Sequence, residues 1–279
     1  MPVAYTTEQI ELVYNQLVSA YREAEKYILE RILAADLTEW QAARANQQLA
    51  LIQSALNELG QVTQDWEALH LPRLYAAGIN GVDDALQAAR AAGAALAPPP
   101  AEFAALHTAS IELIAQNLVL GLEGARQIVG RTVGDVFRRA GLAALQQGTA
   151  LGETRRQASK RMISKLAENG VTAFTDARGA KWNLNTYAEM HIRTSSMEAT
   201  NQATYNRLAE YDLDLVQVPR HDGECPKCVE ALDTLGTIFS VSGTSEKYPA
   251  EDDARALGLY HPSCLHRAQP YVEGYSEAA

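Results

Sequence analysis

Aromatic side chains are scarce in this 279-residue sequence, at 7%, while alanine is abundant. That balance suggests helices packed through small side chains. No run of about 18 uncharged apolar residues occurs, which argues against a transmembrane helix. The N-terminal MPVAYTTEQIELVYNQL carries acids early and has no basic-then-apolar leader, so nothing marks it for secretion. Cysteine is limited to three residues, two of them in one C-x-x-C, which is no disulfide framework. What remains is a chain 47% apolar and 21% charged, the balance of a protein that folds around a sizeable core.

Positive charge is also in short supply. The 24 Lys and Arg residues stand against 34 Asp and Glu, a net charge of −10, which disfavours a general coating of nucleic acid. The deficit is uneven: residues 1–100 carry −6, residues 101–200 carry +3 and residues 201–279 carry −7. Seven basic residues (Arg138, Arg139, Arg155, Arg156, Lys160, Arg161 and Lys165) fall within 28 positions. A solvated helix face is the plain reading of such a run. The functional reading is a local contact with DNA or an acidic partner surface, carried by Arg155, Arg156, Lys160, Arg161 and Lys165.

Apolar spacing divides the chain. Ile10, Val13, Leu17, Tyr21, Ala24, Ile28 and Ile32 follow steps of three and four, the stripe of an amphipathic helix. Thr38 with Gln41 has the form of a capping box, opening a second helix along Leu49, Ile52, Leu56, Leu59, Val62, Trp66 and Leu69. The spacing near 3.5 predicts a helical hairpin. Leu71-Pro72 and the Gly78, Asn80, Gly81 cluster are expected to end it, with a short helix from Asp83 to Leu96. Pro98-Pro99-Pro100 breaks any helix. One or two helices follow, bent or separated at Gly130, Gly134, Gly141, Gly148 and Gly152, and then a basic amphipathic helix over residues 153–168. From Gly170 the pattern changes: a hairpin from Val171 to Trp182, a helix opened by Thr186 and Glu189 and reaching Glu210, strands at Leu215–Val218 and Thr237–Val241, and a short helix Ala250–Leu257 closed by Gly258. The fold class is α+β: a mainly helical N-terminal half, then a small α+β C-terminal domain. The expected divisions are 1–97, 98–169 and 170–279.

The chemistry is concentrated in His221-Asp-Gly-Glu-Cys225-Pro-Lys-Cys228 and, 32 residues later, His261-Pro-Ser-Cys264-Leu-His266. All three cysteines and three of the six histidines lie in these two patches. Thiolates and imidazoles at this spacing suit a tetrahedral zinc ion. Cys225, Cys228, His261 and Cys264 are the first choice of ligands, His266 can replace His261, and His221 is a weaker candidate or an outer donor. Reduced thiols in a small core are the plain alternative. Four protein ligands would close the shell and leave no place for an activated water. A deaminase pattern of H-x-E followed by P-C-x-x-C is absent, as are H-E-x-x-H, G-x-x-x-x-G-K-S/T and G-x-S-x-G. A zinc-supported nuclease, with His261 or His266 as base, is the enzymatic alternative. Arg193-Thr-Ser-Ser196 with Glu198 superficially matches the scattered Arg, Ser and Glu of ADP-ribosyltransferases, but one helix holds them all, where packing and capping account for them. Glu246 and Glu251 to Asp253 read as an exposed acidic turn, and Trp182 and Tyr187 as core anchors.

Phe174-Thr-Asp-Ala-Arg-Gly179, Trp182, Leu184, Tyr187, Met190 and Arg193-Thr194 form an ordered set. It continues through His221, Cys225, Cys228, Tyr248-Pro249, Gly258, His261-Pro, Cys264, His266 and Pro270-Tyr271. The set resembles the signature of phage minor capsid protein 2, related to the Mu F-type head morphogenesis proteins. It covers roughly residues 150–275, and the preceding region is similar only in being helical. The resemblance implies a virion structural protein rather than a metabolic enzyme, present in few copies at the portal vertex or inside the head. It implies the portal protein or the major capsid protein as partner, head assembly or the handling of packaged DNA as role, and the host cytoplasm as place of assembly. With the residues themselves, it gives the expectation of a structural Zn2+, DNA or partner contact through residues 138–165, and no membrane partner. A zinc-supported nuclease or other DNA-modifying enzyme is the competing expectation.

Overall fold

The computed structural model describes residues 4–34, 42–97, 105–147, 173–176 and 179–276; for Thr7, 42–45 and 139–147 it describes the backbone alone. The capping box at Thr38 and Gln41, the prolines 98–100 and the basic helix expected over 153–168 lie outside the described residues. Helices α1 (Thr7–Ala34), α2 (Ala42–Ala91) and α3 (Ala105–Gln147) come first. Strands β1 (Ala173–Thr175) and β2 (Lys181–Asn183) lead into α4 (Leu184–Glu210). Then follow β3 (Leu215–Gln217), α5 (Pro226–Leu235), β4 (Ile238–Ser240), α6 (Glu251–Leu257) and β5 (Gln269–Pro270). The chain makes two compact units, one from residues 1–14, 67–118 and 190–279, the other from 15–66 and 119–189. The α+β expectation holds: long helices, then short strands around small helices.

The second unit is helical apart from its hairpin. In α1 the stripe Leu17, Val18, Tyr21, Ile28 and Ile32 is buried, as its spacing predicts. In α2 the stripe is rotated from the expected one. Ile52, Leu56, Leu59, Thr63 and Trp66 are buried, while Val62 and Leu69 face solvent. Thr63 can be buried because its hydroxyl donates to the Leu59 carbonyl at 2.8 Å and pairs with the Tyr21 hydroxyl at 2.9 Å. On α3, Leu122, Ala125, Val129 and Val133 face inward, and Arg126 donates to the Leu56 carbonyl at 2.9 Å. The hairpin pairs Phe174 with Trp182 in antiparallel register. Asp176 closes its turn by accepting from the Ala180 amide and the Trp182 indole, both at 2.9 Å. Trp182 and Tyr187 meet edge to face at 5.7 Å, consistent with packing anchors.

Two helix ends expected from sequence do not occur. α2 runs through Pro72, Gly78 and Gly81, and no separate helix begins at Asp83. Pro72 leaves the Ala68 carbonyl without its helical donor, at a cost of about 3 kcal/mol. The cost is offset because Leu71, Leu74, Tyr75, Ile79, Val82 and Leu86 are all almost completely buried, each worth about 1.5–3 kcal/mol. Gly78 is a packing residue. A Cβ there would lie 2.4 Å from the Thr200 carbonyl oxygen and 2.7 Å from the Ala203 Cβ, both on α4. Gly78→Ala should therefore cost about 1–3 kcal/mol in a denaturant titration. Gly81→Ala, which meets nothing within 4 Å, should gain up to about 1 kcal/mol; equal effects at the two positions would contradict this packing. Likewise α3 continues past Gly130 and Gly134 without a break. Its stretch Ala105–Arg138 reaches a mean hydropathy of 1.2, enough by length and composition alone to cross a membrane. The uncharged run missing from the sequence therefore does not by itself exclude a span here.

The first unit carries the small sheet, in the order β4-β3-β5, all antiparallel. Val216 and Phe239 pair across its centre and are fully buried. Around them pack Val82, Leu86 and Ala89 of α2, Tyr205 and Leu208 of α4, Ala231 and Leu232 of α5, Ala254 of α6, and both Cys228 and Cys264. α4 is buried over most of its turns within this unit, and several of its hydroxyls bond back to their own helix. Ser196 donates to the Ile192 carbonyl at 2.7 Å and Thr204 to that of Thr200 at 3.0 Å. Packing thus accounts for the Ser and Thr of the Arg193–Ser196 stretch.

Candidate metal centre

Local chemistry starts the site at α5. Cys225 is its N-cap, with φ −76° and ψ 155°, and its sulfur accepts from the Cys228 amide at 3.4 Å. Pro226 follows at the first helical position, where a missing N–H costs nothing. The C-x-x-C is therefore a helix start, and one turn of α5 brings Cys228 round to the same side. The second patch is a tight turn. The Cys264 amide donates to the His261 carbonyl at 2.9 Å, and Tyr260 and Ser263 take positive φ of 57° and 68°. α4 pins this turn: the Ser263 amide donates to the Thr194 hydroxyl at 3.2 Å and the Ala268 amide to Asn201 Oδ1 at 2.9 Å.

The five expected donors fall in two neighbouring groups of three. Cys225, Cys228 and His261 place their donor atoms within 4.8 Å of one another, as do Cys228, Cys264 and His266, so Cys228 is common to both groups. Cys228 Sγ lies 3.7 Å from Cys264 Sγ, and Cys264 Sγ lies 3.3 Å from His266 Nδ1. Cys225 Sγ lies 2.9 Å from His261 Nε2. A tetrahedral ion with Zn–S near 2.3 Å sets its sulfurs about 3.8 Å apart. The cysteine pair fits that edge, and thiolate with imidazole is the donor set zinc prefers. These groups are close enough to hold a metal ion.

The electrostatics fit a cation. Burial pushes the Cys228 thiol up, and the neighbouring Cys225 and Cys264 sulfurs push the same way. For Cys225 burial also pushes up, but the Cys228 and Lys227 amides at the helix start outweigh it and leave the thiol lowered. Sulfurs held this close repel as thiolates unless a cation lies among them. Burial pushes the His266 imidazole down, with Glu224 partly opposing, which keeps it in the neutral form that ligates.

Glu224, the residue before the first cysteine, was not singled out from sequence. Its carboxylate oxygen Oε1 accepts from the His221 amide at 3.0 Å and faces His266 Nε2 at 3.2 Å; Arg220 donates to Oε2 at 3.3 Å. Burial raises its pKa, but the His221 amide, His266 and Arg220 outweigh that and leave it lowered. The only signal was its place in His221-Asp-Gly-Glu-Cys225. The His221 ring lies 4.4 Å from that of His266, and its buried Nε2 has no hydrogen-bond partner among the described residues. That makes His221 a neighbour of the cluster and not one of its grouped donors. Of the acidic stretch, Glu246, Asp252 and Asp253 are exposed as expected, whereas Glu251 is buried in the first turn of α6 and bonded to Tyr205 and Arg255. Arg155, Arg156, Lys160, Arg161 and Lys165 lie outside the described residues; Arg138, at their edge, is exposed and pairs with Asp135 at 3.3 Å.

Long helices followed by a small sheet that carries a Cys/His cluster define the class of fold. The particular family follows from comparison: the description phage minor capsid protein 2 matches residues 6–279, and the chain belongs to that family. The match takes in the N-terminal helices as well as the C-terminal signature, further than the motifs alone reached. Membership makes it a virion-associated protein. Comparison with curated proteins finds no match, and neither does comparison with solved structures.

Proposed function

We propose that this minor capsid protein acts in head assembly or in the handling of packaged DNA, bound to the portal or the inner capsid, with a structural Zn2+ in its C-terminal cluster. The observation that carries the structural reading is the number of donors. Three cysteines and two histidines fall in two three-donor groups that share Cys228, and together they outnumber the four positions of a tetrahedral shell. A filled shell leaves no position for an activated water, so the ion staples α5 to the 261–266 turn and does not hydrolyse. Bound zinc supplies folding free energy here.

The basic residues Arg155, Arg156, Lys160, Arg161 and Lys165 are the contact to DNA or to an acidic partner surface. Support comes from charge alone: a chain at −10 attracts neither in general, and this stretch is its one concentrated exception. Reversing Arg155, Arg156, Lys160 and Arg161 to glutamate should reduce incorporation into particles several-fold in a variant whose circular dichroism and melting match those of the wild type. Quantitative mass spectrometry of purified particles reads the result. Normal incorporation and infectivity of the reversed variant would show the stretch to be a solvated face only.

A further inference from the structure

Five donors compete for four positions, and the two histidines are held in different ways. His266 is the more deeply placed, with its side chain 1% exposed. It lies two residues from Cys264, and both are buried while Leu265 between them is exposed. Its Nδ1 faces the cluster, 3.3 Å from Cys264 Sγ, and its Nε2 faces Glu224 at 3.2 Å. A carboxylate on the far nitrogen is what fixes the tautomer and ring plane of a ligating histidine. Glu224 is itself fixed by the His221 amide and by Arg220, whose guanidinium also holds Asp233.

His261 is only half-buried, and its Nδ1 reaches no further than the carbonyl of its own neighbour Pro262, at 2.8 Å. Its Nε2 stands 2.9 Å from Cys225 Sγ. Zn–S near 2.3 Å and Zn–N near 2.0–2.1 Å set ligand sulfur and nitrogen about 3.6 Å apart in a tetrahedron. The His266–Cys264 separation is nearer to that edge. At 2.9 Å the His261–Cys225 pair stands closer than two ligands of one tetrahedral ion do.

We propose that the metal shell is Cys225, Cys228, Cys264 and His266, a C-x-x-C paired with C-x-H, that Glu224 is its positioning residue, and that His261 stands outside it. This rests on the reading that the cluster holds a metal. It reverses the choice between the histidines that the sequence spacing favours.

The test uses the full chain, purified without chelator, with zinc content measured by mass spectrometry and Co2+ substituted as a spectroscopic probe. Wild type and His261→Gln should each hold about one metal per chain with the same Co2+ d–d bands. His266→Gln should lose at least tenfold in metal affinity, and Glu224→Gln should lose about 10–100-fold. Because His266→Gln can fail to fold, cysteine replacements give a second reading. His266→Cys should keep the metal and add one thiolate's share of charge-transfer absorption, whereas His261→Cys should leave the Co2+ spectrum unchanged. Loss of metal in His261→Gln with retention in His266→Gln, or a new thiolate band in His261→Cys, overturns the assignment and leaves the metal reading standing. A wild-type chain that binds neither Zn2+ nor Co2+ overturns the metal reading itself.

Discussion

Cys228→Ser is expected to abolish metal binding and unfold the first unit around its sheet. Cys228 is 1% exposed and is the donor shared by both groups of the cluster. A structural zinc contributes about 10–16 kcal/mol in small peptides, against a total stability of about 5–15 kcal/mol for a domain. A serine there also leaves a hydroxyl buried among apolar neighbours, at about 1–3 kcal/mol. The loss should spread beyond the metal. Cys228 and Cys264 share one core with Val216, Phe239 and, from α2, Val82 and Leu86. The second unit contains no donor of the cluster, so its helices should keep their protection. Hydrogen exchange reads both halves at once: fast exchange through β3, β4 and β5, and unchanged protection at Tyr21, Leu56 and Val129. A variant that melts at the wild-type temperature would falsify the structural role of the metal.

The second large effect is expected at Arg207, far from the cluster in sequence terms and unremarked in any motif. Its side chain is 8% exposed. It grips Asp83 through two bonds of 2.8 and 3.0 Å and Glu210 through one of 2.7 Å. Glu210 in turn faces His107 Nε2 at 3.0 Å, and His107 Nδ1 meets the Tyr75 hydroxyl at 3.0 Å. Tyr211 donates to Asp83 at 2.9 Å. Removing the guanidinium leaves Glu210, 14% exposed, and Asp83, 31% exposed, without their common cation, a loss of about 3 kcal/mol, the low end for a buried pair. Arg207→Ala should therefore lower the denaturation midpoint strongly, and Arg207→Lys should recover only part, since an ammonium cannot make the paired bonds to Asp83. A double-mutant cycle with Asp83→Ala should show strong coupling. Additive losses would mean that the ion pair contributes nothing beyond packing.

The sequence was most informative where chemistry and local geometry coincide. Cys225, Cys228, Cys264, His261 and His266 converge because their short spacings place them in one helix start and one turn. Gly258 marks the end of α6 through its left-handed φ of 111°, and the hairpin and β3 and β4 follow from β-branched and aromatic residues between turn signals. Punctuation misled where tertiary burial overrides it. Pro72 and Gly78 look like breakers, yet Tyr75 and Ile79 are buried on both sides of the glycine and its missing Cβ makes room for α4. α4 begins at Leu184, directly after β2, so Thr186 lies inside the helix and caps nothing. α5 was passed over because its ten residues begin inside the metal motif, where Cys225 acts as the cap a serine or aspartate usually provides. Glu224 and the Arg207 network were illegible for a different reason. Local spacing supplies Arg220 for Glu224 and Glu210 for Arg207, but the partners that give each its place, His266 and Asp83, are distant in the chain.

The most direct measurement is the metal content of the wild-type chain, purified without chelator and shown to be folded. About one zinc per chain, removed by chelator together with the cooperative melting of the sheet, is the result this account predicts. A folded C-terminal sheet with no stoichiometric metal would contradict it.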